Sequence, residues 1–560
     1  MRVHRFLPAG LALAGLASLT PIRPVSATWQ DDIGYNYLKS LLGASLPNGS
    51  GTSVSQIEAP VDNANTHLPS ADPAPPNGNY AGKVFHFNSG ATAQSWHANT
   101  VATCFYGLFT DAAIGTYCSV APQAGTGPLT FVDCYEAGNW LDSPFLNTGQ
   151  TATPFHETNA VTNHSWIADP DPVGFPLALV TESMRRIDYS IDTDDYLCVV
   201  GMSNFSSSGV PHLLASCYNV LAIGLSDGEH GTGTTPADTD GGGRAKPDLT
   251  MPAALFRTSY ATGAASSCSA FLWSAANATP ALNAATTSEV MRALLYSGAT
   301  KNHLTAKNPS SGLYEPHTWS HAVTRPFDSH YGTGEINLAR SYRALTAGKQ
   351  GPGPIGLRGW DYDATALATG ASRTYSLVIP TGCVGTEVSI ALVWNRRMTG
   401  LNGAKTQFTT GPTPRLPDLS LKLASGPVTL AESRSGDAGS PSTTVEYLYL
   451  RNLAAGSYTL TVTNEATASF STDYGLAWHI VPSGEQAPTM TLTASGIDGT
   501  LHFANLCPEA VYAVEKSSDL AQWSPIGFLT VPANTTTGTL PTTLDAGNTR
   551  SFFRLRNTGY

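Results

Sequence analysis

Hydrophobic positions along the chain change their spacing once, near the middle. Up to residue 347, short continuous apolar runs alternate with stretches at helical spacing; beyond residue 356, the apolar side chains fall on every second position. In the first part, Trp29 to Leu46 sets Ile33, Tyr37, Leu38, Leu41 and Leu42 on one helical face and closes in Pro-Asn-Gly-Ser-Gly, which predicts a short amphipathic helix. Val54 to Glu58 alternates and stops at Ala59-Pro60, a strand with Glu58 at its carboxyl end. Ser95 to Gly107 reads SWHANTVATCFYG and places Val101, Cys104 and Phe105 on one helical face, with His97 in the first turn. Ala160 to Trp166 (AVTNHSW) is a strand, and Arg185 to Asp195 a polar helix and turn. Tyr196 to Val200 and Asn219 to Gly224 are strands of the buried, parallel kind. From Lys246 a strand broken by Pro252 leads at Thr258-Ser259 into a helix of small and apolar residues, and Glu289 to Leu295 is helical.

Gly348 to Gly356, with Pro352 and Pro354, reads as a linker. Past it, Tyr375 to Ile379, Val388 to Trp394, Leu419 to Leu423, Val445 to Leu450 and Tyr458 to Val462 are alternating strands, the last two paired around a turn at Asn452 to Gly456. After Gly484 to Pro488, further strands fall at Thr500 to Phe503, Tyr512 to Glu515, Trp523 to Phe528 and Phe552 to Leu555. The expected organisation is an α/β parallel-sheet domain over residues 28–347, a β-sandwich over 357–483 and a small β-sandwich over 488–560.

Composition narrows the setting. Residues 1–27 carry Arg2 and Arg5, an apolar run from Phe6 to Leu19 and Val25-Ser26-Ala27, the layout of a cleaved secretory signal, so a secreted, extracellular or periplasmic product is expected. No later stretch has the length of a membrane span. Net charge is −11 for the whole chain, and removing residues 1–27 takes it to about −14, which argues against nucleic acid as a partner. Eight cysteines in an exported chain, with no CxxC spacing, point to structural pairing rather than zinc; Cys118 with Cys134 is the pairing expected, while Cys198 and Cys268 read as small buried hydrophobes.

The chemistry sits in four blocks. Lys246 to Ala276 (KPDLTMPAALFRTSYATGAASSCSAFLWSAA) puts Ser259 at the mouth of a helix, where unpaired N–H groups and the dipole favour a developing negative charge. Together with Glu58 at a strand end, with Asp62 four residues on, with His97 opening a helix and with Gly201-Met202-Ser203-Asn204 after a buried strand, this resembles the subtilisin-like serine peptidases. The acid, His, Asn and Ser blocks occur in that family's order. Tyr331-Gly332-Thr333-Gly334 resembles the turn with which its catalytic domains end, and the β-sandwich that follows is similar to the jelly-roll modules that accompany many of them.

The resemblance implies a serine endopeptidase acting on polypeptide. Ser259 would be the nucleophile, His97 the base and Glu58 the group that orients the imidazole, with Asn204 and the Ser259 N–H at the oxyanion. An amide so placed lowers the barrier by about 3 kcal/mol. AVTNHSW resembles the strand along which a substrate chain lies. Three positions depart from the family: Glu58 stands where Asp is usual, Arg257 where Gly precedes Thr-Ser, and Gly263 where Pro follows the serine. They keep open an alternative, a catalytically impaired homologue acting as a protein-binding or scaffold module. A metal hydrolase is the third option; His317 and His321 are four apart, but no Glu follows the first as in HExxH, and Trp319 between them reads as packing. No cofactor is required. The resemblance admits a structural calcium at an unassigned site, and a monomer is expected.

Overall fold

The structure, a computed structural model, describes residues 28–61, 66–69, 78–90, 93–108, 118–398, 408, 416–435, 443–466, 471–544 and 550–560. The signal-like residues 1–27 and Asp62 lie outside them.

Its first sheet has seven strands, β1 (Val54–Glu58), β2 (Phe85–Phe87), β3 (Val132–Glu136), β4 (Val161–His164), β5 (Leu197–Gly201), β6 (Leu221–Leu225) and β9 (Leu249–Met251). A two-residue ladder of β7 (Gly233–Thr234) and β8 (Ala245–Lys246) lies outside that sheet. All seven run parallel, in the order β2-β3-β1-β4-β5-β6-β9. Every residue of β1, β3, β4, β5, β6 and β9 is buried, as a parallel sheet covered on both faces requires.

From β1 the chain crosses to β2 and β3 on one side, then returns to β4 and continues outward on the other. The strand order therefore reverses beside β1, and the crevice outside the carboxyl ends of β1 and β4 is where such sheets build sites.

Among the described residues eight α-helices accompany the sheet: α1 (Trp29–Asp32), α2 (Tyr35–Leu42), α3 (Trp96–Tyr106), α4 (Ala137–Leu141), α5 (Leu177–Asp194), α6 (Thr258–Asn277), α7 (Ser288–Gly298) and α8 (Leu338–Thr346). The N-terminal helix expected as one piece is split at Gly34, whose φ of +78° a side chain would strain. Most of α6 is buried, which explains its small, all-round apolar composition; it packs on α3, β4, β5 and β6. Gly263 makes the α3 contact close, since a Cβ there would lie 2.8 Å from the Val101 carbonyl oxygen. The departure to Gly263 thus has a packing cause.

Beyond residue 352, a five-stranded and a four-stranded sheet form a sandwich over Gly353 to Gly484, and two three-stranded sheets follow between Thr489 and Asn557. Along Ser372–Ile379 exposure alternates with the side chains, as the period-two pattern predicts. Val445–Leu453 and Gly456–Asn464, expected to pair with each other, lie in different sheets. The first pairs with Cys383–Val393, the second with Ser372–Ile379 and Leu419–Ser425, so the turn between them is an arch.

The sandwich docks on the parallel-sheet part through Asn395 and Arg396. Asn395 donates to Glu289 at 2.8 Å, and Arg396 pairs with buried Asp188 at 3.2 Å while its main chain exchanges hydrogen bonds with the Asn219 side chain. A disulfide joins Cys383 to Cys507, 124 residues apart. A crosslink closing so long a loop stabilises a fold by about 2 to 5 kcal/mol. The expected Cys118–Cys134 pair is not formed: Cys134 is buried within β3, and Cys118 accepts a hydrogen bond from Gln30.

Several carboxyl groups are buried away from a full complement of partners. Burial pushes Glu446 up to about 8 and Asp192 and Glu157 to about 7. Glu446 accepts from the Ser433 hydroxyl and the Ser435 N–H, neither of which supplies charge. Such groups keep their protons in the folded state at pH values where the unfolded chain has lost them, so folded protein binds more protons. Their contribution is fully present below the ordinary carboxyl range near pH 4 and is lost as pH rises through about 7 to 8. Thermal or urea unfolding should therefore show lower stability at about pH 8 than at about pH 5, and Glu446→Gln should narrow that gap by about 2 to 4 kcal/mol.

Candidate active site

Glu58 ends β1 with its side chain turned toward α3, and it is only 1% exposed. A carboxylate so buried needs donors, and it has two: His97 through Nδ1 at 2.8 Å, and the Gln56 amide, which donates to Glu58 at 2.9 Å. Gln56 lies two residues back, hence on the same face of the strand. Its Nε2 also donates to the Ala98 carbonyl at 2.9 Å, and its Oε1 accepts from the Tyr106 hydroxyl. A buried relay of Tyr106, Gln56 and Glu58 thus pins α3 to β1 and aims one nitrogen of His97 at the acid. The other nitrogen, Nε2, is left for chemistry.

Ser95 caps α3, its hydroxyl accepting from the Ala98 N–H at 3.3 Å, so His97 is held in a regular first turn. Burial alone would lower its pKa; the charge of Glu58 and the hydrogen bond to it outweigh that and hold His97 above the ordinary imidazole value. His164, at the end of β4, is the opposite case. Its ring is fully buried against Trp140 and Trp166 with neither nitrogen hydrogen-bonded, and burial pushes it down to about 3. It stays neutral and is a poor base.

Ser259 is the second residue of α6 and 8% exposed. Two contacts fix it against the end of β4: the Ser165 hydroxyl donates to the Ser259 carbonyl at 3.0 Å, and the Ser259 hydroxyl makes a long 3.5 Å contact to the Ser165 carbonyl. Behind them, Asn163 donates to Ser165 at 3.1 Å and accepts from Ser266 of α6 at 3.0 Å. Among the described residues the Ser259 hydroxyl has no hydrogen bond to His97.

Asn204 follows β5. Its Oδ1 accepts from both the N–H and the hydroxyl of Thr258, each at 2.9 Å. Because a backbone N–H can only donate, Oδ1 is the end of the amide that faces Thr258, and the NH₂ is the opposite end.

The structure therefore joins Glu58 to His97, and Asn204 to the residue before Ser259, all at the carboxyl edge of one sheet. The extra methylene of Glu58 is accommodated, and its carboxylate reaches the ring. Arg257 is extended, with φ −143°; the left-handed residue of this turn is Phe256, at φ +73°. The positive φ of this turn thus falls one position before Arg257.

Gln56, Tyr106, Ser165 and Thr258 escaped the sequence reading as site residues. The two-residue offset from Glu58 is the signal that could have found Gln56. His317 stacks with His330 and packs at a tilt against Tyr331, and His321 packs at a tilt against Trp319. Among the described residues no three His, Cys, Asp or Glu side chains gather into a group that could hold a metal ion.

No family model and no curated protein matches the chain. Among solved structures it is similar to fervidolysin from Fervidobacterium pennivorans, described as a keratinolytic enzyme related to subtilisin. The identity is 10% and the TM-score 0.30, over 95% of this chain and 82% of that one. It is also similar to tripeptidyl peptidase 2, at 8% identity and a TM-score of 0.25 over 80% of this chain and 51% of that one, so it spans about half of that enzyme's length. The CUB1-EGF-CUB2 domains of rat MASP-1 match 37% of this chain at 6% identity and a TM-score of 0.14. Likenesses this distant carry no functional weight, and the α/β fold followed by β-rich modules rests on the sheets themselves.

If Glu58 is what raises His97, Glu58→Gln keeps the burial and removes the charge. His97 should then titrate below the ordinary imidazole value, near 6.5, rather than above it. Ring-nitrogen NMR of protein labelled at histidine reads this directly; a His97 pKa equal in both proteins would count against the pairing.

Proposed function

We propose that the chain is a secreted serine endopeptidase of the subtilisin-like kind that hydrolyses peptide bonds with a Glu58–His97–Ser259 triad. The observation that carries the reading is the buried 2.8 Å hydrogen bond between Glu58 and His97 at the sheet edge where Ser259 and Asn204 also lie. Residues 28–347 would form the catalytic domain, with modules at 357–483 and 488–560 that dock or stabilise.

In this mechanism His97 takes the Ser259 proton through Nε2 as the oxygen attacks the scissile carbonyl. Glu58 holds the ring's orientation and balances the imidazolium that forms. The negative charge arriving on the carbonyl oxygen meets the Asn204 NH₂ and the Ser259 N–H at the start of α6, donors that need no rearrangement when the charge appears. His97 returns its proton to the departing amine, and the acyl group left on Ser259 is released by water, deprotonated by the same ring.

Secretion is supported by the signal-like residues 1–27 and is compatible with the Cys383–Cys507 disulfide; no described helix is long and apolar enough to cross a membrane. A second reading, a homologue that binds protein without turnover, is favoured by one observation: the Ser259 hydroxyl rests on the Ser165 carbonyl rather than on His97.

A fluorophosphonate probe separates the two. The endopeptidase labels at Ser259 and Ser259→Ala abolishes labelling, whereas equal, negligible labelling of both proteins leaves the binding module. In an active enzyme Asn204→Ala should lower kcat by about 10² to 10³ with little change in KM, because its NH₂ acts mainly on the transition state. Steady-state kinetics on a quenched peptide measure it; a loss confined to KM would remove Asn204 from the oxyanion role.

A further inference from the structure

A cavity of about 380 Å³ lies where the β-sandwich meets the amino edge of the parallel sheet. Tyr218 stands before β6 and Asp248 before β9, so the cavity is at the end of the sheet opposite to Glu58, Ser165 and Asn204. Both parts of the chain build it, Ala245 of β8 and Tyr296 of α7 from one and Val445 from the other. Gly243, Thr324 and Arg325 are exposed and form its mouth; Arg244, Phe327 and Val445 are buried and form its floor.

The whole chain carries a net charge of −11, yet this cavity is lined by three cations, Arg244, Lys246 and Arg325, and by one acid, Asp248. Lys246 donates to Asp248 at 2.7 Å, and those two charges cancel. Arg244 and Arg325 remain, and among the described residues neither is within ion-pair distance of a carboxylate. Asp188, whose charge Arg244 feels, is itself held by Arg396 at 3.2 Å.

Arg244 is only 6% exposed. Its two Nη groups donate to the Gly241 and Ser216 carbonyls, and its guanidinium lies over the Tyr218 ring at 3.5 Å. Its Nε–H is buried without an acceptor. A buried cation with a donor unmet is costly, and an anion supplies what is missing.

The rest of the wall has a different character. Tyr296 and Phe327 meet edge-on at 5.2 Å and, with Val445, give the cavity an apolar side that an inorganic ion leaves unused. Its mouth is preformed. Ala322 and Arg325 exchange main-chain hydrogen bonds at 3.0 Å, and the Val323 carbonyl accepts from the Arg434 N–H of the sandwich at 2.8 Å, so Arg325 stands on a fixed turn.

We propose that this cavity is a binding site for a small aromatic carboxylate, its anionic end met by Arg244 and Arg325 and its ring by Tyr296 and Phe327. The site is independent of the peptidase reading. Because its walls come from both parts of the chain, an occupant fastens the sandwich to the sheet.

Saturation-transfer NMR of phenylacetate with the full-length protein measures its Kd. Two competitors divide the ligand: phenylacetamide keeps the shape without the charge, and inorganic phosphate keeps the charge without the ring. Phenylacetate should bind with a Kd between about 10 μM and 1 mM, the range open to a ligand of its size. Each competitor should bind at least about tenfold more weakly. Arg325→Gln, at an exposed position, should weaken phenylacetate about tenfold with the unfolding midpoint unchanged. Arg244→Gln should abolish binding; where it also lowers the midpoint, Arg325→Gln decides. Ser259→Ala should bind phenylacetate as the unaltered protein does.

No saturation transfer up to about 5 mM phenylacetate overturns the proposal. So does displacement by the amide or by phosphate at equal concentration, the latter marking a site for inorganic anions. An affinity unchanged in Arg325→Gln overturns it as well, and binding lost in Ser259→Ala would move the ligand to the crevice at the other end of the sheet.

Discussion

The structure turns on one hydrogen bond in a dry place. Glu58 sits at the end of a strand whose neighbours on both sides are buried, and a carboxylate there is tolerable only when its oxygens are met by donors. Gln56 and His97 meet them, and both ties run to α3, since the amide that donates to Glu58 also binds the Ala98 carbonyl. Stripping away one partner of such a pair leaves a buried charge uncompensated, at a cost of about 3 to 5 kcal/mol. The need to satisfy Glu58 therefore places the first turn of α3, and with it the imidazole, more firmly than apolar packing along α3 could.

The second half of the site arrives by a different route. Helix α6 is too small-sided to hold its position by size, and it is pinned instead by polar contacts to the strand on the other side of the crevice: Ser266 to Asn163, Asn163 to Ser165, Ser165 to the Ser259 main chain. Gly263 lets the same helix press against α3. One helix is fastened to β1 and the other to β4, and these adjacent strands flank the point where the strand order reverses. The topology thus brings two independently anchored helix starts to one crevice, with Asn204 closing it from β5.

How much of this was legible follows from what kind of interaction sets each feature. The parallel sheet could be read because buried strands such as Leu197–Gly201 are continuous apolar runs, and the sandwich because Ser372–Ile379 alternates; both are local patterns. The strand Gly475–Gly484 was missed: it is buried along most of its length and so has no alternation to see. Short β2 and β3 were missed because three to five residues carry little period. The hairpin expected around Asn452 to Gly456 failed because a turn signal tells that the chain bends, and not which sheet it enters. Cys383 and Cys507 meet only through the packing of two modules, which spacing cannot encode. Within the site, the acid, base, amide and serine positions stood out as blocks, whereas Ser165 and Thr258 act through main-chain groups and small hydroxyls that look like any others in sequence.

The same two forces that place His97 also set its chemistry, and they oppose each other. Burial favours the neutral ring, which is the form that can accept a proton; Glu58 favours the cation, which is the form the proposed mechanism would have to stabilise. Had burial prevailed, the ring would resemble His164, always neutral and too weak a base to be useful. Had Glu58 acted without burial, the ring would be raised further above its ordinary value. With Glu58 outweighing burial, His97 is a stronger base than an ordinary imidazole. Lengthening the acid from Asp to Glu does not disturb that balance so long as the carboxylate remains buried and in reach. Gln56 secures this by donating to one carboxylate oxygen while His97 holds the other, so each oxygen of the buried acid has its own donor.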